Sequence, residues 1–366
     1  MKVRCDRNEL AERLQSVGGT VATTTTKPIL QNFLLKAQGD QLVVEATDLD
    51  ISARVRAERV DVEEEGQVAL DASRFLALVR EIPVGTVALE STEGGTLLKG
   101  EGYEFRLLGD DPTEFPEVKT FAGEGAFEIP REKFVEMVRR VSVAASRDSS
   151  RFQLTGVFFE IEGDKLTMTA TDGKRLTNDL MRINNPTGKS VSAIVPNRAI
   201  DVMTKVLAGG EEMIQLSLEE TEIQVSFGYG ELMAKLIEGT YPDYRSSLPV
   251  EKKTKVVCKR SDLLAAVRSA SLVTDRETAS VVFELEGDLA TLETKASDIG
   301  ESKIHIPISL EGESLEVRFN AIYFADALRT VNEEQIRMEF CGSDRPGTIR
   351  GGVNYRHMLM PLVVGT

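Results

Sequence analysis

Side chains suited to proton transfer or metal ligation are few in this chain. His305 and His357 are the only histidines, and there is no tryptophan. No GxSxG, P-loop or HExxH pattern occurs, so nucleophilic, nucleotide-hydrolysing and zinc-peptidase chemistry lack their usual parts. His305 alternates with Ile304 and Ile306 and reads as an exposed strand residue. Cys5, Cys258 and Cys341 lie far apart, with neither zinc spacing nor a disulfide framework, and read as small hydrophobes in a reducing compartment. Asp48 and Asp172 could serve as acid–base groups, but each follows a threonine at a strand end, where capping of an Asx turn is the better reading. The expectation is a protein without catalytic residues, metal or cofactor.

Those two aspartates sit in phrases that echo one another. "EATDLDIS" (45–52), "TATDGKRL" (169–176) and "ETKASDIG" (293–300) recur about every 125 residues. Helical spacing of apolar residues precedes each: Leu10, Leu14 and Val17; Phe134, Met137, Val138 and Val141; Leu263, Leu264 and Val267. A Gly-Asp pair at 39–40, 163–164 and 287–288 divides alternating apolar runs, which is a hairpin signal. Further helices are expected over 71–83, 196–208 and 320–332, each followed by more strands. The phrases "FPEV" at 115, "YPDY" at 241 and, more distantly, "MPLV" at 360 close the copies.

The chain therefore reads as an α+β protein of three tandem copies, each a doubled helix-plus-sheet unit, with boundaries at 1–122, 123–252 and 253–366. Glycine or charge runs mark the joins near 121–126 and 250–255. Six helices side by side at about 10 Å give an arc of about 60 Å, and two chains about 120 Å. A ring of one chain would leave a hole of about 9 Å, and a ring of two nearly 30 Å, wide enough for duplex DNA. Closure by a second copy would also remove exposed sheet edges.

The total charge, −15 at pH 7, argues against a nucleic-acid binder taken as an average. Its placement argues otherwise. Window 131–151 holds six cations, including Arg139, Arg140 and Arg147, against Glu132, Glu136 and Asp148. Acid gathers in strand-linking stretches such as 61–65, 211–212, 219–222 and 311–316. Helices facing inward would give a basic lining and an acidic exterior. The start lacks an apolar signal region and no window approaches 18 apolar residues, so a chain neither exported nor membrane-spanning is expected.

At this point the residues match a family. The threefold repeat, "TATDGKRL", "YPDYRSSLP" and "MLMPLVV" resemble the bacterial DNA polymerase III beta subunit, the DNA sliding clamp, along essentially the full length. The resemblance implies a cytoplasmic head-to-tail homodimer, helices inside and sheets outside, that encircles duplex DNA without sequence specificity. It implies tethering of the replicative polymerase, loading by an ATP-dependent clamp loader and no catalysis. It also implies a hydrophobic pocket for short peptides. The matching positions are Leu154, Thr171, Gly173, Lys174, Arg175 and Leu176 in the second copy, with Pro242 and Ser247 beyond it. Asn320, Tyr323, Met358, Met360, Pro361 and Leu362 come from the third. Methionines suit a pocket that accepts varied apolar partners. Ser247 stands where the family often has an apolar residue, and the ending with Val363 and Val364 also departs from it.

For DNA, the matching positions are Arg80, Asp148, Arg151, Phe152 and Arg198. Lys27 substitutes for a loop arginine whose place Thr24 takes. Such contacts would go to phosphates and carry no sequence information. For the dimer seam, Phe105, Arg106 and Leu107 should meet Leu272 and Val273, with Arg106 facing Asp298 or Glu301. A protein-only repeat scaffold is the alternative, sharing the pocket but needing neither ring nor basic lining.

Overall fold

The computed structural model describes residues 1–83, 85–209, 212–248, 252–275 and 277–362. Glu211, the first two residues of the 250–255 join, and Val363 and Val364 lie outside the described residues. The fold mixes helix (24%) and strand (46%) in three tandem copies of a doubled helix-and-sheet unit. The helices are α1 (Arg7–Val17), α2 (Ala72–Glu81), α3 (Arg131–Ser142), α4 (Asn197–Val206), α5 (Arg260–Ser271) and α6 (Ala321–Thr330). α2, α4 and α6 fall inside the expected windows, and α1, α3 and α5 contain the residues read at helical spacing. Asp6, Asp71 and Asn320 cap α1, α2 and α6 by accepting first-turn N–H groups. The apolar positions read as helix faces are buried apart from Leu264, which is partly so; Leu10, Leu14, Val17, Phe134, Val138 and Val267 are fully buried.

The three Gly-Asp hairpins form as expected. Asn32–Gln38 pairs with Gln41–Thr47, Gly156–Glu162 with Lys165–Thr171, and Ser280–Glu286 with Leu289–Ala296, all antiparallel. The glycine takes φ of +60°, +57° and +59°, the left-handed backbone that the first residue of such a turn requires. The phrase at 115 also has a structural purpose. Phe115 and Val118, three apart around a proline, are both buried in a cluster with Ile29, Leu30 and Leu34.

By proximity the chain forms two compact units, Met1–Val135 with Ile183–Ile237 and Glu136–Arg182 with Glu238–Thr366. Each is held by a sheet that runs from one sequence copy into the next. In the first unit, Gly230–Lys235 pairs with Ile51–Ala57, joining four strands of the first copy to four of the second. In the second unit, Arg175–Arg182 pairs with Tyr355–Leu359 in the same way. The second unit's core packs α5 and α6 against these strands, with Phe283, Phe319 and Phe324 in mutual ring contact.

Eight described strands end the four sheets, and two of them lie in the smaller sheets and bear on assembly. Tyr103–Leu107 closes the five-stranded sheet of the first unit and Gly300–Pro307 the four-stranded sheet of the second. Among the described residues each pairs on one side only. No described helix is long and apolar enough to cross a membrane.

Candidate functional site

The phrase "TATDGKRL" folds into a turn closed by its own side chains. Thr171 Oγ1 donates to the Arg175 carbonyl (2.6 Å) and accepts the Gly173 N–H (3.1 Å). Asp172 Oδ1 accepts the Lys174 and Arg175 N–H groups, both at 2.9 Å. "EATDLDIS" makes the same turn: Thr47 Oγ1 donates to the Ile51 carbonyl, and Asp48 accepts the N–H groups of Asp50 and Ile51. Capping is therefore what both aspartates do. In the third copy Ser297, Asp298 and Ile299 form the loop of a hairpin instead.

The equivalent turns differ in what they leave open. Gly173 has φ +86°, whereas Leu49 holds φ +78° with a bulky side chain. Leu176 faces Met358 across the strand pair, whereas Ser52 faces Met233. The backbone N–H of Met360 donates to Lys174, as that of Lys235 does to Asp50. There, however, Lys235 also makes an ion pair with Asp50 (3.1 Å). The second-copy turn thus borders an apolar hollow, while the first carries an exposed leucine and an exposed ion pair.

That hollow has a volume of about 260 Å³ and is lined by Leu154, Leu176, Met358, Met360, Pro242 and Pro346, with Thr171, Gly173, Ser247, Asp243 and Tyr244. Arg151 and Arg175 stand at its polar side. Leu154, Leu176 and Met358 are buried as its floor, while Met360 is half exposed. Arg175 is fixed from three directions. Its guanidinium binds Asp172 (3.1 Å) and Asp326 (3.0 Å) and lies 4.4 Å from the centre of the Tyr323 ring.

"YPDYR" is anchored from below by the strand Gly156–Glu162. Tyr241 stacks on Phe158 with ring centres 4.8 Å apart. The carboxylate of Glu160, itself buried, accepts the Tyr244 hydroxyl and one Arg245 N–H. Burial, and then the Glu160 carboxylate, hold the Tyr244 phenol protonated by raising its pKa. Phe158 and Glu160 are two apart and so share one face of the strand.

Nine of the fourteen positions matched to a peptide pocket converge on this hollow. Lys174 and Tyr323 line an adjoining polar cavity instead. Asn320 caps α6 and donates to the Thr278 carbonyl. Pro361 is buried, and Leu362 borders a hollow on the four-stranded sheet beside Arg318. Sequence reasoning did not single out Asp243, Tyr244 or Pro346. The first two lay in the quoted "YPDYR", whereas Pro346 had no signal. Arg151, matched to DNA contact, lines the hollow as well.

Behind the hollow lies a buried polar network. The Tyr355 hydroxyl donates to the Arg140 carbonyl (3.2 Å) and lies within hydrogen-bond distance of the Thr330 hydroxyl (2.7 Å) and His357 Nδ1 (3.2 Å). Full burial, with the positive charge of Arg175 as a lesser cause, lowers the His357 pKa to about 3, so the ring is neutral. Burial raises Asp179 to about 6 despite Arg140 at 3.6 Å. His305, by contrast, is exposed on the edge strand, as its alternation suggested.

The positions matched to DNA contact are surface residues: Lys27, Arg80, Asp148, Arg151 and Phe152 are exposed. Arg198 is half exposed, binding the Asp48 carboxylate and the Gly19 carbonyl. Of the seam positions, Leu272 is 78% exposed and Phe105 and Leu107 are half buried, beside Leu108 at 83%. Val273 is half buried, and Arg106, Asp298 and Glu301 are exposed.

Comparison with known proteins accounts for the whole repeat. Family models of the DNA polymerase III beta subunit match in series: the N-terminal domain over 1–119, the central domain over 128–243 and the C-terminal domain over 245–362. The beta sliding clamp of Chlamydia muridarum is 30% identical over 364 residues, covering 99% of each chain. That of Bacillus subtilis is 28% identical over 362 residues, covering 96% of each. The solved sliding clamp of Bacillus subtilis superposes with a TM-score of 0.92 at 27% identity over the full length of both chains. The Pseudomonas aeruginosa DnaN sliding clamp, solved bound to griselimycin, gives 0.93 at 25%, again over the full length of both. With three domain models in series and full-length relatives, the chain belongs to the DNA polymerase III beta subunit family, the bacterial beta sliding clamps.

Proposed function

We propose that two copies of this chain close head to tail into a ring, helices inward, that encircles duplex DNA and tethers the replicative polymerase in the cytoplasm. The ring has no catalytic activity, is opened by a clamp loader, and consists of domains 1–122, 123–252 and 253–366 in each protomer. The observation that carries this reading is that two of the one-sided edge strands, Tyr103–Leu107 and Gly300–Pro307, have exposed apolar side chains in or near them. Exposed Leu108 and Tyr103 border the first, and Ile299 and Leu272 are exposed in the same unit as the second. Unpaired strand edges flanked by apolar side chains favour addition of a strand from a second chain. Arg106 would then face Asp298 or Glu301, and Lys27, Arg80, Arg151, Phe152 and Arg198 would meet the phosphate backbone. Asp148 would weaken contact locally.

The hollow around Leu176 and Met358 is the site for peptide segments of the polymerase, loader and other partners. Its apolar floor and adaptable methionines support that use. Griselimycin, the ligand of the Pseudomonas relative, is proposed to enter the same hollow.

Two measurements test the ring. Gel filtration should give twice the chain mass of 40.2 kDa, about 80 kDa. The protein, once loaded, should survive high salt on a nicked circle and leave when that circle is linearised. A strictly monomeric protein, or equal retention on linear DNA, overturns the reading. A monomer that still binds griselimycin would be a protein-only scaffold.

A further inference from the structure

Three arginines stand in a row across the sheet that joins Arg175–Arg182 to Tyr355–Leu359. On the adjacent strands Gln335–Phe340, Gly347–Gly351 and Tyr355–Leu359, Arg337 is directly opposite Arg350, and Arg350 directly opposite Arg356. Their neighbours Ile336, Met338, Ile349 and Tyr355 are buried in the core with residues of α5 and α6. Alternation along a strand therefore puts all three guanidiniums on the other face.

Like charges directly opposite one another destabilise a sheet. One carboxylate offsets part of this cost. Buried Glu339 binds Lys252 (2.8 Å), Arg337 (3.1 Å) and Arg350 (3.0 Å). Arg356 is left out of that network. It forms no ion pair among the described residues, and its Nε is buried without a hydrogen-bond partner. Burial, and then the charge of Arg350, lower its pKa. Thr348 Oγ1, two residues from Arg350 and so on the same face, is buried and unpartnered as well. Lys255, opposite Glu339, pairs with Glu311 at 2.7 Å. Around the row, Lys252, Lys255 and the three arginines thus meet only Glu339 and Glu311, in a chain whose net charge is −15.

The spacing selects the kind of ligand. Strands lie about 4.8 Å apart, so three guanidiniums span about 10 Å, more than a single phosphate or carboxylate covers. The ligand must therefore carry several acids. Val257 and Asn178 extend the row at its two ends. Neither is aromatic, so the row lacks the stacking surface that single-stranded nucleic acid uses. Carboxylates three or four residues apart on a helix repeat at about 5–6 Å, close to the pitch of the row. Alternate residues of an extended strand repeat at about 6.6 Å, a poorer match. Planar guanidinium forks also pair bidentately with carboxylates.

We propose that Arg337, Arg350 and Arg356 form a docking surface for an acidic helix of a protein partner, laid across the three strands. The surface is separate from the apolar hollow, whose lining includes none of these arginines. Open cation–carboxylate pairs act on encounter rate and selectivity more than on affinity, and salt screens them.

The test uses the full-length protein and fluorescein-labelled, alanine-based helical peptides of about two dozen residues. One carries glutamates three or four residues apart in a single stripe. A second has glutamines at those positions, and a third has the same glutamates dispersed around the helix. By fluorescence anisotropy at about 50 mM salt, the striped peptide should bind about fivefold more tightly than either control. The difference should vanish near about 500 mM. Arg356→Met keeps an apolar stem but removes the charge, and should cut the stripe's advantage by about half or more. Arg356→Lys should keep most of it, and griselimycin affinity should be unchanged in both variants. Absent binding of the striped peptide, or equal binding of striped and dispersed peptides by the wild type, overturns the proposal. A stripe advantage that survives in Arg356→Met also overturns it. If Arg356→Met loses griselimycin together with the peptide, Arg356 supports its own strand and meets no partner. If Arg356→Met keeps the stripe's advantage but loses a labelled oligo-dT strand that the wild type holds, the row serves nucleic acid.

Discussion

Glu160 Oε2 lies 2.6 Å from the Tyr244 hydroxyl, and Oε1 of the same carboxylate lies 2.7 Å from Arg245. A buried side chain on a regular strand thereby holds the loop that supplies Pro242, Asp243, Tyr244 and Ser247 to the apolar hollow. Glu160→Ala would leave the buried phenol without an acceptor, a loss of about 1–3 kcal/mol, most of it recovered by opening the loop. The hollow should lose its rim, and griselimycin affinity, read by calorimetry, should drop about tenfold or more. Glu160→Gln still offers Tyr244 an acceptor and should restore much of the affinity. Full binding by the alanine variant would show that the loop holds itself.

The paired turns at Thr47 and Thr171 give a reciprocal prediction. Leu49 has a left-handed backbone that costs a non-glycine residue about 1 kcal/mol. Leu49→Gly should therefore raise stability by up to about that much in urea unfolding. Gly173→Ala meets the same backbone conformation and also presses on Arg151. It should lower stability by about 1 kcal/mol and weaken griselimycin binding. Opposite signs at two such similar turns are the point of the comparison; the same sign at both would refute it.

Asp179 and His357 act in opposite directions on acid stability. Burial raises Asp179 to about 6, so its contribution is fully present below the unfolded carboxylate value and is lost as pH rises through 6. His357 is depressed to about 3, so its contribution is present above the unfolded value near 6.5 and is lost as pH falls towards 3. Between about pH 4 and 6 the two slopes, each about 1.4 kcal/mol per unit at most, offset one another. Asp179→Asn should make stability fall more steeply on acidification, and His357→Gln less steeply. Urea midpoints at several pH values would read both slopes. Unchanged slopes in both variants would mean that neither group is perturbed as described.

Local structure was largely legible in the sequence. Apolar residues at helical spacing located α1, α3 and α5, the repeat located α2, α4 and α6, and Gly-Asp pairs located three hairpins, because these signals are local or recur along the chain. The "FPEV" and "YPDY" echoes marked buried pairs three apart, Phe115 with Val118 and Tyr241 with Tyr244. The apolar hollow was named only through family resemblance, since Leu176 and Met358 look like any strand hydrophobes until a distant strand pairs them. Pro346 had no local mark at all. Arg151 was matched to DNA alone because one residue's two neighbouring cavities cannot be read from its spacing.

The sheets that run from copy to copy have an implication for dissection of the molecule. Cutting after residue 122 would separate Ile51–Ala57 from Gly230–Lys235 and lay bare two raw strand borders at once. Cutting after residue 252 would do the same to Arg175–Arg182 and Tyr355–Leu359. A sequence repeat excised here is thus not a building block but a fragment with torn seams. Such a fragment should clump with its own kind, whereas pieces cut to preserve each shared sheet should stay dispersed.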